Sequence, residues 1–89
     1  MLNKNIEFAI KSCKEILLKE IKENLEESGG KVEINYKLTE DETIKSLFLR
    51  EFLGDNEIMV EREHNGETEV DYLDELYSLD EIINIIGEL

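Results

Sequence analysis

The sequence predicts one small α+β domain over residues 1–89: a three-stranded sheet with helices on one face, in the order helix, strand, helix, strand, strand, helix. Three observations predict it. Apolar residues recur at helical spacing over residues 3–27 and stop at Ser28-Gly29-Gly30. Two later stretches, 31–38 and 57–73, alternate apolar and polar residues, the second around Asn65-Gly66. Thr39-Glu40-Asp41-Glu42 and Ser78-Leu79-Asp80-Glu81 both have the Thr/Ser-x-x-Glu form that caps a helix N-terminus.

In residues 3–27, Ile6, Ala9, Ile10, Cys13, Ile16, Leu17, Ile21 and Leu25 form a broad apolar face. Gly29 is placed to end the helix in a left-handed conformation that a side chain would disfavour. At about 1.5 Å per residue a helix of this length outruns a six-residue strand, so surplus apolar surface is expected. Packing within one chain is the expected use of it, and a homodimer through this helix is the alternative.

Lys31–Leu38 reads as a strand with Val32, Ile34, Tyr36 and Leu38 on one side. The Thr39 capping signature then predicts a second helix over residues 40–53, with Ile44, Leu47 and Phe48 toward the core and Gly54-Asp55-Asn56 as its end. The first strand is expected either parallel to residues 57–63, through a right-handed crossover, or beside residues 67–73. The last helix begins at Ser78. Ile82, Ile83, Ile86 and Leu89 form its core stripe, and Ile85 lies off it.

The hairpin at 57–73 carries the functional reading. A two-residue Asn65-Gly66 turn would place apolar and acidic residues together on each face. A three-residue loop, His64-Asn65-Gly66, pairs Val60 with Val70 and Ile58 with Tyr72, which separates them. That register puts Glu61, Glu63, Glu67, Glu69 and Asp71 together on one open face. These five are the candidate partner-binding residues.

The chain's net charge of −13 arises entirely after residue 37: residues 1–37 hold seven acids and seven lysines, and residues 38–89 hold sixteen acids and three basic residues. Direct binding to a nucleic-acid backbone is not expected of such a surface. A basic partner is, drawn by a field that weakens with salt. Carboxylates on alternate residues of a strand are about 6.5–7 Å apart, comparable to phosphates along DNA. The array therefore suggests a nucleic-acid mimic that blocks a positively charged site on a nuclease, a CRISPR or restriction complex, or a transcription regulator. The alternative is a small adaptor or antitoxin-like protein that binds or dimerises through its amphipathic helices.

In size, charge and mixed architecture the chain is similar to the small acidic inhibitors of phages and plasmids, including proteins that block restriction or CRISPR machinery. No residue motif carries that resemblance to a particular target.

Catalysis, a cofactor and a metal are not expected. There is no glycine-rich phosphate loop and no CxxC pair. Cys13 falls on the apolar face of the first helix, as a small buried residue, and His64 falls in a turn. Asp71, Asp74 and Glu75, or Glu61 with Glu69, could gather a hard cation, but they lack the ordered ligand spacing of a calcium loop. No run is long and apolar enough to span a membrane, charges interrupt every candidate signal-peptide core, and the single cysteine suits a reducing cytoplasm.

Overall fold

The computed structural model describes residues 14–88. Its elements are α1 (Lys14–Glu27), β1 (Lys31–Lys37), β2 (Glu42–Phe52), β3 (Asp55–His64), β4 (Glu67–Tyr72), α2 (Leu73–Leu76) and α3 (Leu79–Ile86). The strands form one antiparallel meander, β1-β2-β3-β4. This remains an α+β domain, but among the described residues the sheet has four strands rather than three.

The helix expected over residues 40–53 is instead β2. Its apparent helical spacing comes from a bulge. Ile44 pairs with Arg62 and Ser46 with Glu61, leaving Lys45 as an extra residue. The bulge returns Ile44 and Leu47, three apart, to the same face, and both are fully buried. A strand with one bulge therefore imitates the i, i+3 recurrence of a helix. The Thr39 signature closes a hairpin rather than capping a helix. Its side-chain oxygen accepts from the Asp41 N–H at 3.3 Å, and its carbonyl accepts from the Glu42 N–H. With β2 in place, β1 pairs with β2 and with neither strand of the later hairpin, so the described residues contain no crossover.

The end of α1 follows the expectation. Gly29 is left-handed at φ 86°, and the Gly30 N–H donates to the Leu25 carbonyl at 2.6 Å while the Gly29 N–H reaches Glu26. This pair of bonds satisfies carbonyls left open by the last turn. Leu17, Ile21 and Leu25 are fully buried, Leu18 packs beside them, and Ile16 is 39% exposed. The expected residues 3–13 of this helix, with Cys13, lie outside the described residues.

Ser78 caps α3 as expected: its side chain accepts from the Glu81 N–H while Glu81 accepts from the Ser78 N–H. Ile82, Ile85 and Ile86 are fully buried, whereas Ile83 is partly covered. Ile85 is thus a core residue, correcting the expected stripe. Leu89 lies outside the described residues.

The core is a single layer between the helices and one face of the sheet, joining Leu17, Ile21 and Leu25 to Ile44, Leu47, Ile58 and Val60 and to the α3 isoleucines. Each such side chain contributes about 1.5–3 kcal/mol relative to an exposed one. No helix among the described residues is long and apolar enough to cross a membrane.

Candidate functional site

Hairpin register decides what the carboxylates can do. Asn65 and Gly66 have φ of 51° and 83°, as both central residues of a two-residue hairpin turn require. His64 pairs with Glu67, Arg62 with Glu69, Glu61 with Val70 and Val60 with Asp71. The expected three-residue loop is therefore replaced by the two-residue turn. Because side chains alternate, the one-residue change moves every β4 side chain to the other face.

Residues paired across the strands define the two faces. One row runs Val32, Leu47, Val60, Asp71, and the next runs Tyr36, Ile44, Arg62, Glu69. These rows face the helices and end in carboxylates at the β4 edge. On the opposite face lie Lys31, Phe48, Met59, Tyr72 and then Glu33, Ser46, Glu61, Val70, with Met59 and Ser46 buried at its centre. Glu61 and Glu63 thus share the face turned away from the helices with Val70 and Tyr72, while Glu67, Glu69 and Asp71 lie on the helix side. The five candidates do not form one face, and the alternate-carboxylate ladder is absent.

Arg62 makes the mixed faces tolerable. Its guanidinium lies 3.4 Å from Glu42 and 3.5 Å from Asp71 and also bonds Glu69. Burial pulls its pKa down, but Glu42 and Glu69 outweigh that and raise it. Glu42, brought in by β2, also accepts a hydrogen bond from the Tyr77 hydroxyl. Burial, reinforced by Glu42, pushes the Tyr77 phenol above its ordinary value. His64, expected in a turn, ends β3 instead, with Nδ1 3.7 Å from Glu42. Sequence reasoning missed this ionic cluster because Glu42 was assigned to a helix cap. Glu61, on the face turned away from the helices, accepts from Ser46 Oγ at 3.3 Å.

The meander brings the β1–β2 and β3–β4 turns to the same end of the sheet. They are tied by a bond from the Asn65 N–H to the Asp41 carbonyl at 3.1 Å. Exposed Glu40, Asp41 and Glu67 lie at this end, as does Glu63, 3.8 Å from Lys45. Two of the five candidates, Glu63 and Glu67, therefore join two acids from a turn that had been expected to begin a helix.

The opposite end carries the β2–β3 turn, Leu53-Gly54, between the paired residues Phe52 and Asp55. Phe52 is 53% exposed and Leu53 is 89% exposed. A shallow depression beside them is lined by Phe52, Tyr72, Glu57, Asp74 and Glu75. Arg50 places its guanidinium 5.6 Å from the Tyr72 ring centre and within 3.4 Å of its hydroxyl.

Among the described residues no group of three or more His, Cys, Asp or Glu is arranged to hold a metal ion. Glu61 and Glu69, considered together for a cation, lie on opposite faces. Comparison with protein families, characterised proteins and solved structures finds no match for this chain.

Proposed function

We propose that this chain is a non-enzymatic binding protein that occupies a positively charged site on another protein. Nucleic-acid-binding surfaces carry such sites, so a nuclease, a CRISPR or restriction complex, or a transcription regulator fits as the target. The observation carrying this reading is the pairing of two turns by the Asn65–Asp41 bond, which gathers Glu40, Asp41, Glu63 and Glu67 at one end of the sheet. A surplus of carboxylates at one end produces a field that accelerates encounter with a cationic surface.

The contact residues in this reading are Glu63 and Glu67 with Glu40 and Asp41. Glu61, Glu69 and Asp71 support them at longer range, because Ser46 and Arg62 engage their oxygens, and Glu63 is shared with Lys45 at 3.8 Å, which leaves Glu40, Asp41 and Glu67 as the principal contacts. Imitation here is of net charge, not of phosphate spacing.

The test is competition for cationic nucleic-acid-binding proteins loaded with a labelled DNA duplex. The chain should displace the duplex from its target, and replacing Glu40, Asp41, Glu63 and Glu67 by their amides should weaken displacement at least about tenfold. Undiminished displacement by that variant would remove this end of the sheet from the mechanism.

A second reading, an adaptor or antitoxin-like protein acting through its helices, draws on the 39% exposure of Ile16 on α1 and the 38% exposure of Leu76 on α2. Light scattering over a wide concentration range separates its dimeric form: a monomer throughout would count against it.

A further inference from the structure

Two hairpins in this molecule use the same two-residue turn with different chemistry at its first position. Asn65-Gly66 uses the pair that the turn prefers, since asparagine tolerates a left-handed backbone. Leu53-Gly54 has nearly the same backbone, with φ of 52° and 87°, yet places leucine where a Cβ-bearing apolar residue is strained. The leucine side chain gains nothing within the fold in return, being 89% exposed, and its neighbour Phe52 is also more than half exposed. Strain and apolar exposure thus coincide at one protruding point.

We propose that the Phe52-Leu53 tip is an apolar anchor for a basic amphipathic segment of a partner protein. Charge around the tip selects that partner. Asp55 flanks the turn, and Glu57, Asp74 and Glu75 line the adjoining depression. A second copy of the chain would bring the same carboxylates against these, and an anionic membrane would be repelled by them. A segment carrying both leucine-like and cationic side chains satisfies both features. Its apolar side chains cover Leu53 and Phe52, and a lysine or arginine reaches Asp74 and Glu75 in the adjoining depression, clear of Arg50. Arg50 already covers the Tyr72 ring and stands opposite Glu57, but Asp55, Asp74 and Glu75 leave the surroundings of the tip acidic. This surface lies at the end of the sheet opposite Glu40, Asp41, Glu63 and Glu67, and the two are separable by mutation.

Fluorescence anisotropy with three labelled helical peptides tests the proposal: one of leucine and lysine, one of leucine and glutamate, and one of serine and lysine. The leucine–lysine peptide should bind best. Leu53→Asn should weaken its binding about tenfold or more by removing a buried leucine contact. The same substitution should raise the melting temperature by roughly 5 °C, because asparagine suits the turn. Loss of binding in a more stable protein cannot arise from misfolding. Phe52→Ser should also weaken binding, whereas the amide variant of Glu40, Asp41, Glu63 and Glu67 should retain dependence on Leu53.

Unchanged affinity in Leu53→Asn, equal binding of the leucine–glutamate peptide, or no binding of the leucine–lysine peptide would overturn the proposal. So would a tip that drives dimerisation or binding to anionic vesicles, lost in Leu53→Asn. Failure here leaves the competition with DNA intact, and failure of that competition leaves the peptide result standing.

Discussion

Arg62 is the cation shared by Glu42, Glu69 and Asp71. Its side chain is 13% exposed, Glu42 is 15% exposed, and Glu69 and Asp71 are each 43% exposed. Removing it leaves a partly buried carboxylate and two neighbours of like charge without their cation. Full burial of such a pair would make the loss about 3–5 kcal/mol, but solvent screening of Glu69 and Asp71 reduces it. Arg62→Met should therefore destabilise the protein by roughly 2 kcal/mol, read from the urea midpoint. Tyr77 predicts a pH effect of definite sign. Its folded pKa lies above the ordinary 10.0 because it is buried and donates to Glu42. Below pH 10 folded and unfolded chains both hold the phenol proton. Above it the unfolded chain releases the proton first, so stability falls as pH rises, by up to about 1.4 kcal/mol per pH unit. Tyr77→Phe should be less stable at pH 8, by about 1 kcal/mol for the lost hydrogen bond, yet should lose less between pH 10 and 11 than the wild type. Parallel slopes in urea titrations at these pH values would contradict that account.

Among the elements, the two Gly-containing hairpins provide a matched experiment. Asn65→Leu puts leucine into a left-handed position and should cost about 1 kcal/mol, whereas Leu53→Asn should gain a similar amount. Opposite shifts of the urea midpoint at two otherwise alike turns would show that turn chemistry, not packing, sets their stability. The capping box of α3 is a simpler case. Ser78→Ala removes the acceptor for the Glu81 N–H and should cost about 1 kcal/mol, measured by thermal unfolding. The cap and the existence of the hairpin were legible in advance because their chemistry is local: Asn65-Gly66 marked a hairpin, and Ser78 with Glu81 marked a helix start, whereas the two-residue form of the turn runs against the expected three-residue loop. Thr39 with Glu42 had the same local form as Ser78 with Glu81, and only tertiary context separates them. Here Glu42 is drawn to Arg62 and Tyr77, and its backbone closes a hairpin with Leu38 and Thr39. A usable signal was present. Leu53-Gly54 and Asn65-Gly66 bound the ten-residue strand β3 at both ends, a spacing that favours consecutive hairpins.

For the whole molecule, charge is the dominant property. A partner engaged through the carboxylates should associate faster at low ionic strength and progressively more slowly as salt rises. Stopped-flow association rates that do not vary with salt would exclude electrostatic steering. By itself, the sequence determined the acidic balance, the apolar stripe of α1 ending at Gly29, the β1 alternation, the existence of the last hairpin and the cap of α3. Each follows from composition or from contacts within a few residues. Only the tertiary structure decided that residues 42–52 are a strand, because the Lys45 bulge gives a strand the spacing of a helix until its pairing with β1 and β3 is known. It also decided the distribution of the five hairpin acids. Separating apolar from acidic residues favoured one register, but the Asn65-Gly66 backbone and the partly buried Arg62–Glu42 pair stabilise the other. Glu42 lies twenty residues before Arg62 in the chain, and no pattern within the hairpin contains the cation–carboxylate contact that lets acids turn toward the helices.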